Sequence, residues 1–147
     1  MRTLSLLFFS AATAIAADIS GIIKLDGPQP KRPPLQLTPE SRKLYEGRPY
    51  PRDEVELVSA KGEIQNVFVY IRKGLPAEKT YPAPKRPALL DQQRSMFRPR
   101  IQGLFVGQEF TMRNSDPIIH NVRSLSQENR PFNVAQPAGT PDRLKRF

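Results

Sequence analysis

The chain has 147 residues, with 23 Lys and Arg against 14 Asp and Glu for a formal net charge of +9, one histidine, 16 prolines and no cysteine. The lack of cysteine excludes disulfides, thiolate metal ligands and cysteine nucleophiles, and the length suits one domain with its own core rather than two. A basic excess of this size favours anionic partners.

The first residues, Met1-Arg2, lead into an apolar run from Leu4 to Ile15 that closes on Ala14-Ile15-Ala16. A charged start, an apolar stretch and a small-x-small site in that order are the marks of a secretory leader. Residues 1–16 are therefore predicted to be a signal peptide, with residues 17–147 as the mature domain and a periplasmic or secreted location. The run is too short to cross a hydrocarbon layer of roughly 30 Å as a helix, and no later segment approaches that length, so the mature chain is expected to lack a transmembrane segment. Without Arg2 it holds 22 basic and 14 acidic residues, a formal charge of +8. Nucleic acid is not an expected partner of an exported chain.

Residues 19–25 are β-branched and alternating, and Asp26-Gly27-Pro28 ends them with turn chemistry. The run Pro28-Gln29-Pro30-Lys31-Arg32-Pro33-Pro34 is too proline-rich for a helix or central strand. Thr38 followed by Pro39 and Glu40 predicts a short helix through Ser41 to Tyr45, stopping by Gly47. Residues 55–58 read as a strand and Lys61-Gly62 as a turn. Asn66-Val67-Phe68-Val69-Tyr70-Ile71 reads as the most deeply buried strand, because both of its faces are β-branched or aromatic. Residues 72–87 form a proline-rich loop. Further short strands are predicted at 89–90, 95–97, 101–106, 110–113 and 118–122. Phe68, Tyr70, Phe97, Phe105 and Phe110 are expected in the core, with Met96 and Met112 as packing residues. Many short strands separated by turn signals predict an all-β sandwich or barrel with one short helix and Pro-rich loops.

Chemistry concentrates at one segment, Asn114-Ser115-Asp116-Pro117-Ile118-Ile119-His120-Asn121-Val122. Asn, Ser and Asp before a φ-fixing proline predict a turn, and the residues after it an extended chain. An imidazole just past such a corner can offer one ring nitrogen to a metal while the other is tied to a carbonyl. No Ser/His/Asp triad, phosphate loop or HExxH motif is present. Asp53, Glu54, Asp91 and Asp116 are dispersed and read as turn and surface groups, so no enzyme is expected. Among the basic residues, Arg94, Arg98, Arg100 and Arg123 are the candidate contacts to an anionic envelope component or partner protein.

The order of these features resembles a family of exported bacterial cupredoxin-like proteins, described as plastocyanin-like or methylamine utilization proteins. The likeness runs from about residue 18 to the end and is carried by Asp26-Gly27-Pro28, the Pro-rich run, residues 66–71, Leu90-Asp91-Gln92, Val106-Gly107-Gln108, Asn114-Ser115-Asp116-Pro117, His120-Asn121-Val122, Pro131-Phe132-Asn133 and Gln136-Pro137. It implies a cupredoxin-like Greek-key β-sandwich, descent from a copper-binding electron carrier with a redox partner protein, and His120 as a copper ligand. The family usually carries cysteines at the positions of Ser41 and Ser95, and the two serines imply paired loss of one disulfide. It often has histidine where this chain has Arg100 and Arg123. Its other copper ligands, a Cys, a second His and a Met, lie in a later segment than any here. The expectation is an incomplete copper site and a sandwich lacking its closing strands, with an apolar face left uncovered beside residues 110–113 and 118–122. The alternative is a metal-free envelope module that binds an anionic polymer or partner through its basic surface.

Overall fold

The computed structural model describes residues 19–55 and 57–147, so the predicted leader and the mature start at Ala17 lie outside the described residues. Regular structure is mainly β, with one short helix and no closed barrel among the described residues. Helix α1 (Pro39–Lys43) begins as its sequence dictates: the Thr38 side chain accepts from the Ser41 amide at 3.2 Å, proline occupies the first turn and Glu40 sits at the positive end.

Six strands follow: β1 (Ala88–Gln93), β2 (Met96–Arg98), β3 (Glu109–Asn114), β4 (His120–Ser124), β5 (Phe132–Gln136) and β6 (Arg143–Arg146). Four form a mixed sheet in the order β2-β1-β3-β6, in which β1 and β3 are parallel and the other pairings antiparallel. The β4-β5 hairpin forms a second sheet. Phe110 and Met112 of β3 pack with Val122 of β4, and Ala88, Leu90, Phe132 and Phe147 close around them. Contiguous apolar contact of this kind supplies the main favourable term in folding.

A buried polar spine joins the two sheets. Gln136 of β5 is completely buried; its side chain donates to the Met112 carbonyl at 3.0 Å and accepts from Gln92 of β1 at 2.8 Å. Asn114 donates to the carbonyls of Gln136 and Ile118, both at 2.8 Å. Buried amides need such partners to offset their desolvation.

Several expectations are corrected. Residues 66–71 form no strand, and Phe68, Val69 and Tyr70 are 53%, 74% and 68% exposed. Their β-propensity is high, but propensity yields a strand only where a neighbour completes the ladder. Residues 101–106 likewise form no strand, and of the five aromatics expected in the core only Phe110 is buried. Among the described residues the segments at 19–25 and 55–58 contribute only isolated bridges, Lys24 to Glu63 and Val58 to Ile64, around a turn closed by the Gly62 amide on the Ser59 carbonyl. The basic C-terminal residues, for which no strand is predicted, supply β6, and the Phe147 ring meets Phe110 and Phe132 at 5.9 and 6.3 Å. Phe147 and Phe132 thus close over Phe110, Met112 and Val122, while exposed apolar side chains stand at 67–71 and 101–106 and also at Ile119, Leu125 and Leu144.

Candidate functional site

The turn between β1 and β2 has two residues, Arg94 and Ser95, both at positive φ (53° and 57°). A two-residue hairpin of this kind favours Asn-Gly because side chains are strained there. Asp116 compensates from the β3-β4 turn. Its Oδ1 accepts from the Arg94 amide at 2.5 Å and its Oδ2 from the Ser95 amide at 2.7 Å. The Asp116 amide in turn donates to the Asn114 side chain at 3.0 Å, and the residue is 5% exposed. Helix α1 and the residues after it grip the same turn from outside: the Ser95 hydroxyl donates to the Ser41 hydroxyl at 2.8 Å, and the Tyr45 hydroxyl donates to the Arg94 carbonyl at 2.5 Å. Burial pushes the Tyr45 phenol up from its ordinary pKa.

His120 opens β4 beside this clamp, with Nε2 at 2.7 Å from Asp116 Oδ2 and its side chain 15% exposed. In the neutral ring such a bond places the hydrogen on Nε2 and leaves the Nδ1 lone pair as a donor. A carboxylate behind an imidazole is also the arrangement that orients histidine toward a metal. The ring borders a cavity of about 60 Å³ shared with Gln92, Ser95, Met96, Phe97 and Asn121.

The donor set does not fit a type 1 copper centre. That centre takes two imidazoles, a thiolate and a weak axial ligand, whereas the chain has one histidine and no cysteine. Among the described residues no group of three His, Cys, Asp or Glu could hold an ion. The Asp116 carboxylate is already engaged by two amides and the imidazole.

Of the four candidate arginines, Arg94 and Arg98 both lie near the Tyr45 ring. Arg98 makes a two-pronged ion pair with Glu54, which raises its pKa through the hydrogen bond. Arg100 lines a cavity with Ser95, Met96, Phe97 and Ile101, whereas Arg123 of β4 lines a different one with Leu125, Pro131 and Phe132. Because the Arg98 side chain remains 42% exposed, Arg98→Ala is expected to cost no more than about 1 kcal/mol. Urea denaturation of the variant checks this, and a larger loss would mean that the Glu54 contact holds more than a surface pair.

Reading Asp116 as a surface group is corrected: it is the most connected carboxylate among the described residues. The signal available in the sequence was an aspartate four residues before the lone histidine across a proline turn. Gln92 and Gln136 stood only within segments of the family likeness, with no role assigned to either. No family model, no curated protein and no solved structure matches this chain, and no helix among the described residues is long and apolar enough to cross a membrane.

Proposed function

We propose that this chain is an exported, non-enzymatic, cupredoxin-like β-sandwich with a Greek-key connection, descended from a periplasmic copper-binding electron carrier and retaining one copper donor, His120. The observation that carries this reading is the carboxylate-backed imidazole, with Asp116 on Nε2 and the Nδ1 lone pair left for an ion. Two further features support it: two sheets share one core, and Ser41 meets Ser95, the positions where the resembling family carries a disulfide. With no thiolate the site lacks the ligand that tunes a blue-copper potential, so binding is weak and electron transfer through the domain is not part of the reading.

Copper titration followed by electron paramagnetic resonance tests it. One weakly held equivalent is expected, without a thiolate-to-copper charge-transfer band, and lost in His120→Ala. Asp116→Asn is expected to weaken binding by roughly tenfold or more, as loss of a ligand's orienting partner does. Binding unchanged in His120→Ala would overturn the assignment.

A second reading is supported by the exposed arginines, since Arg94, Arg100 and Arg123 form no ion pair among the described residues. The domain then acts as a metal-free envelope module that binds an anionic polymer or partner protein. Under that reading polyanion binding is salt-sensitive and indifferent to His120→Ala.

A further inference from the structure

Two of the segments whose apolar side chains stay exposed, 67–71 and 101–106, meet each other. Residues 67–71 and 101–106 lie against each other because the Phe68 ring covers Gly103, where a Cβ would come within 2.5 Å of the ring. Phe68 also stacks on Tyr70 at 6.2 Å. Around this contact Val69 is 74% exposed, Phe105 46% and Val106 92%. Exposed apolar groups grouped in this way mark an interaction surface rather than scattered hydrophobic residues.

The chain adjoining these segments is basic. Arg72 and Lys73 follow Ile71 directly, and Arg100 precedes Ile101. Arg86 is held beside Phe105 through Gln108, whose side chain donates to the Arg86 carbonyl and accepts from the Phe105 amide, both at 3.1 Å. Residues 64–90 carry Arg72, Lys73, Lys79, Lys85 and Arg86 against one acid, Glu78, and residues 92–108 carry three arginines and no acid. Across residues 64–109 eight basic residues thus stand against three acids, Glu78, Asp91 and Glu109.

We propose that this patch docks the protein on a membrane surface of anionic lipids, with Phe68, Tyr70, Phe105 and Val106 entering the headgroup boundary and the adjoining basic residues facing the phosphates. The charge pattern selects this occupant. A second copy would bring two cationic segments together, and a soluble polyanion would leave the aromatics in water. A lipid surface satisfies both, since shallow apolar insertion and attraction to anionic headgroups add. The proposal does not involve His120 and stands apart from the copper reading.

The test is cosedimentation of the purified protein with vesicles of phosphatidylglycerol and phosphatidylethanolamine, and with phosphatidylcholine vesicles. Binding is expected only to the anionic vesicles and is expected to weaken in high salt. Arg72→Ala with Lys73→Ala should lower the affinity by roughly 25-fold, about fivefold for each basic residue at such a surface. Val106→Ser should lower it by roughly tenfold through lost apolar burial. Val106 is almost wholly exposed, so this variant keeps the test valid if a Phe68 variant fails to fold. Equal binding to phosphatidylcholine, or binding unaffected by Val106→Ser, would overturn the proposal. So would dextran sulfate binding of equal strength that ignores Val106→Ser, or a solution dimer that Val106→Ser dissociates.

Discussion

Replacing Ser41 and Ser95 together by cysteine is expected to close a disulfide under oxidising conditions and to raise the unfolding free energy by up to about 4 kcal/mol. The two hydroxyls are 2.8 Å apart, one at the buried face of α1 and the other in the β1-β2 turn. A bridge between them ties off a loop of about 55 residues, and the loss of loop entropy from the unfolded chain grows with the logarithm of that length. Part of the gain is offset by the hydroxyl hydrogen bond that is removed. The guanidinium midpoint of the double variant, compared with and without reductant, reads the effect directly. Coincident midpoints, or two titratable thiols after oxidation, would mean that α1 does not dock on the turn as described.

Asp116→Ala is expected to lower stability by about 3 kcal/mol, because it leaves two buried-side amides without an acceptor in a turn that is already strained. Arg94 and Ser95 are held at positive φ by this one carboxylate, and no glycine is present to adopt the conformation freely. Asp116→Asn should lose roughly half as much, since one amide oxygen can still accept while its NH2 group confronts the second donor. His120→Ala should cost less than either, about 1 kcal/mol, because the carboxylate keeps both amides after the imidazole is gone. Urea denaturation of the three variants gives the order. If His120→Ala costs as much as Asp116→Ala, the histidine rather than the carboxylate holds the corner.

The link between this corner and the proposed copper donor is a division of labour within one carboxylate. Oδ1 serves the fold alone, whereas Oδ2 serves both the Ser95 amide and the imidazole. Removing Asp116 should therefore disturb stability and copper binding together, while His120→Ala should separate them.

Local chemistry in the sequence was sufficient for features that depend on neighbours a few residues away. Thr38 followed by Pro39 and Glu40 makes the start of α1. Asn114 to Pro117 make the corner before His120, and the apolar pattern at 110–113 locates the central strand β3. The lone histidine, the missing cysteine and the basic excess were likewise visible without coordinates. Tertiary structure decided which of the other extended segments become strands. Arg143-Leu144-Lys145-Arg146 pairs with β3 despite its charge, while Val67 to Ile71, with far greater β-propensity, has no ladder partner among the described residues. It also decided that Asp116 meets Arg94 and Ser95, more than twenty positions earlier, and that Gln92 meets Gln136 across 44 positions. The physical reason is that caps and turns are satisfied by the chain's own next residues, whereas a strand edge, a buried amide or a strained turn is satisfied only by whatever distant group the closed fold brings within hydrogen-bond reach.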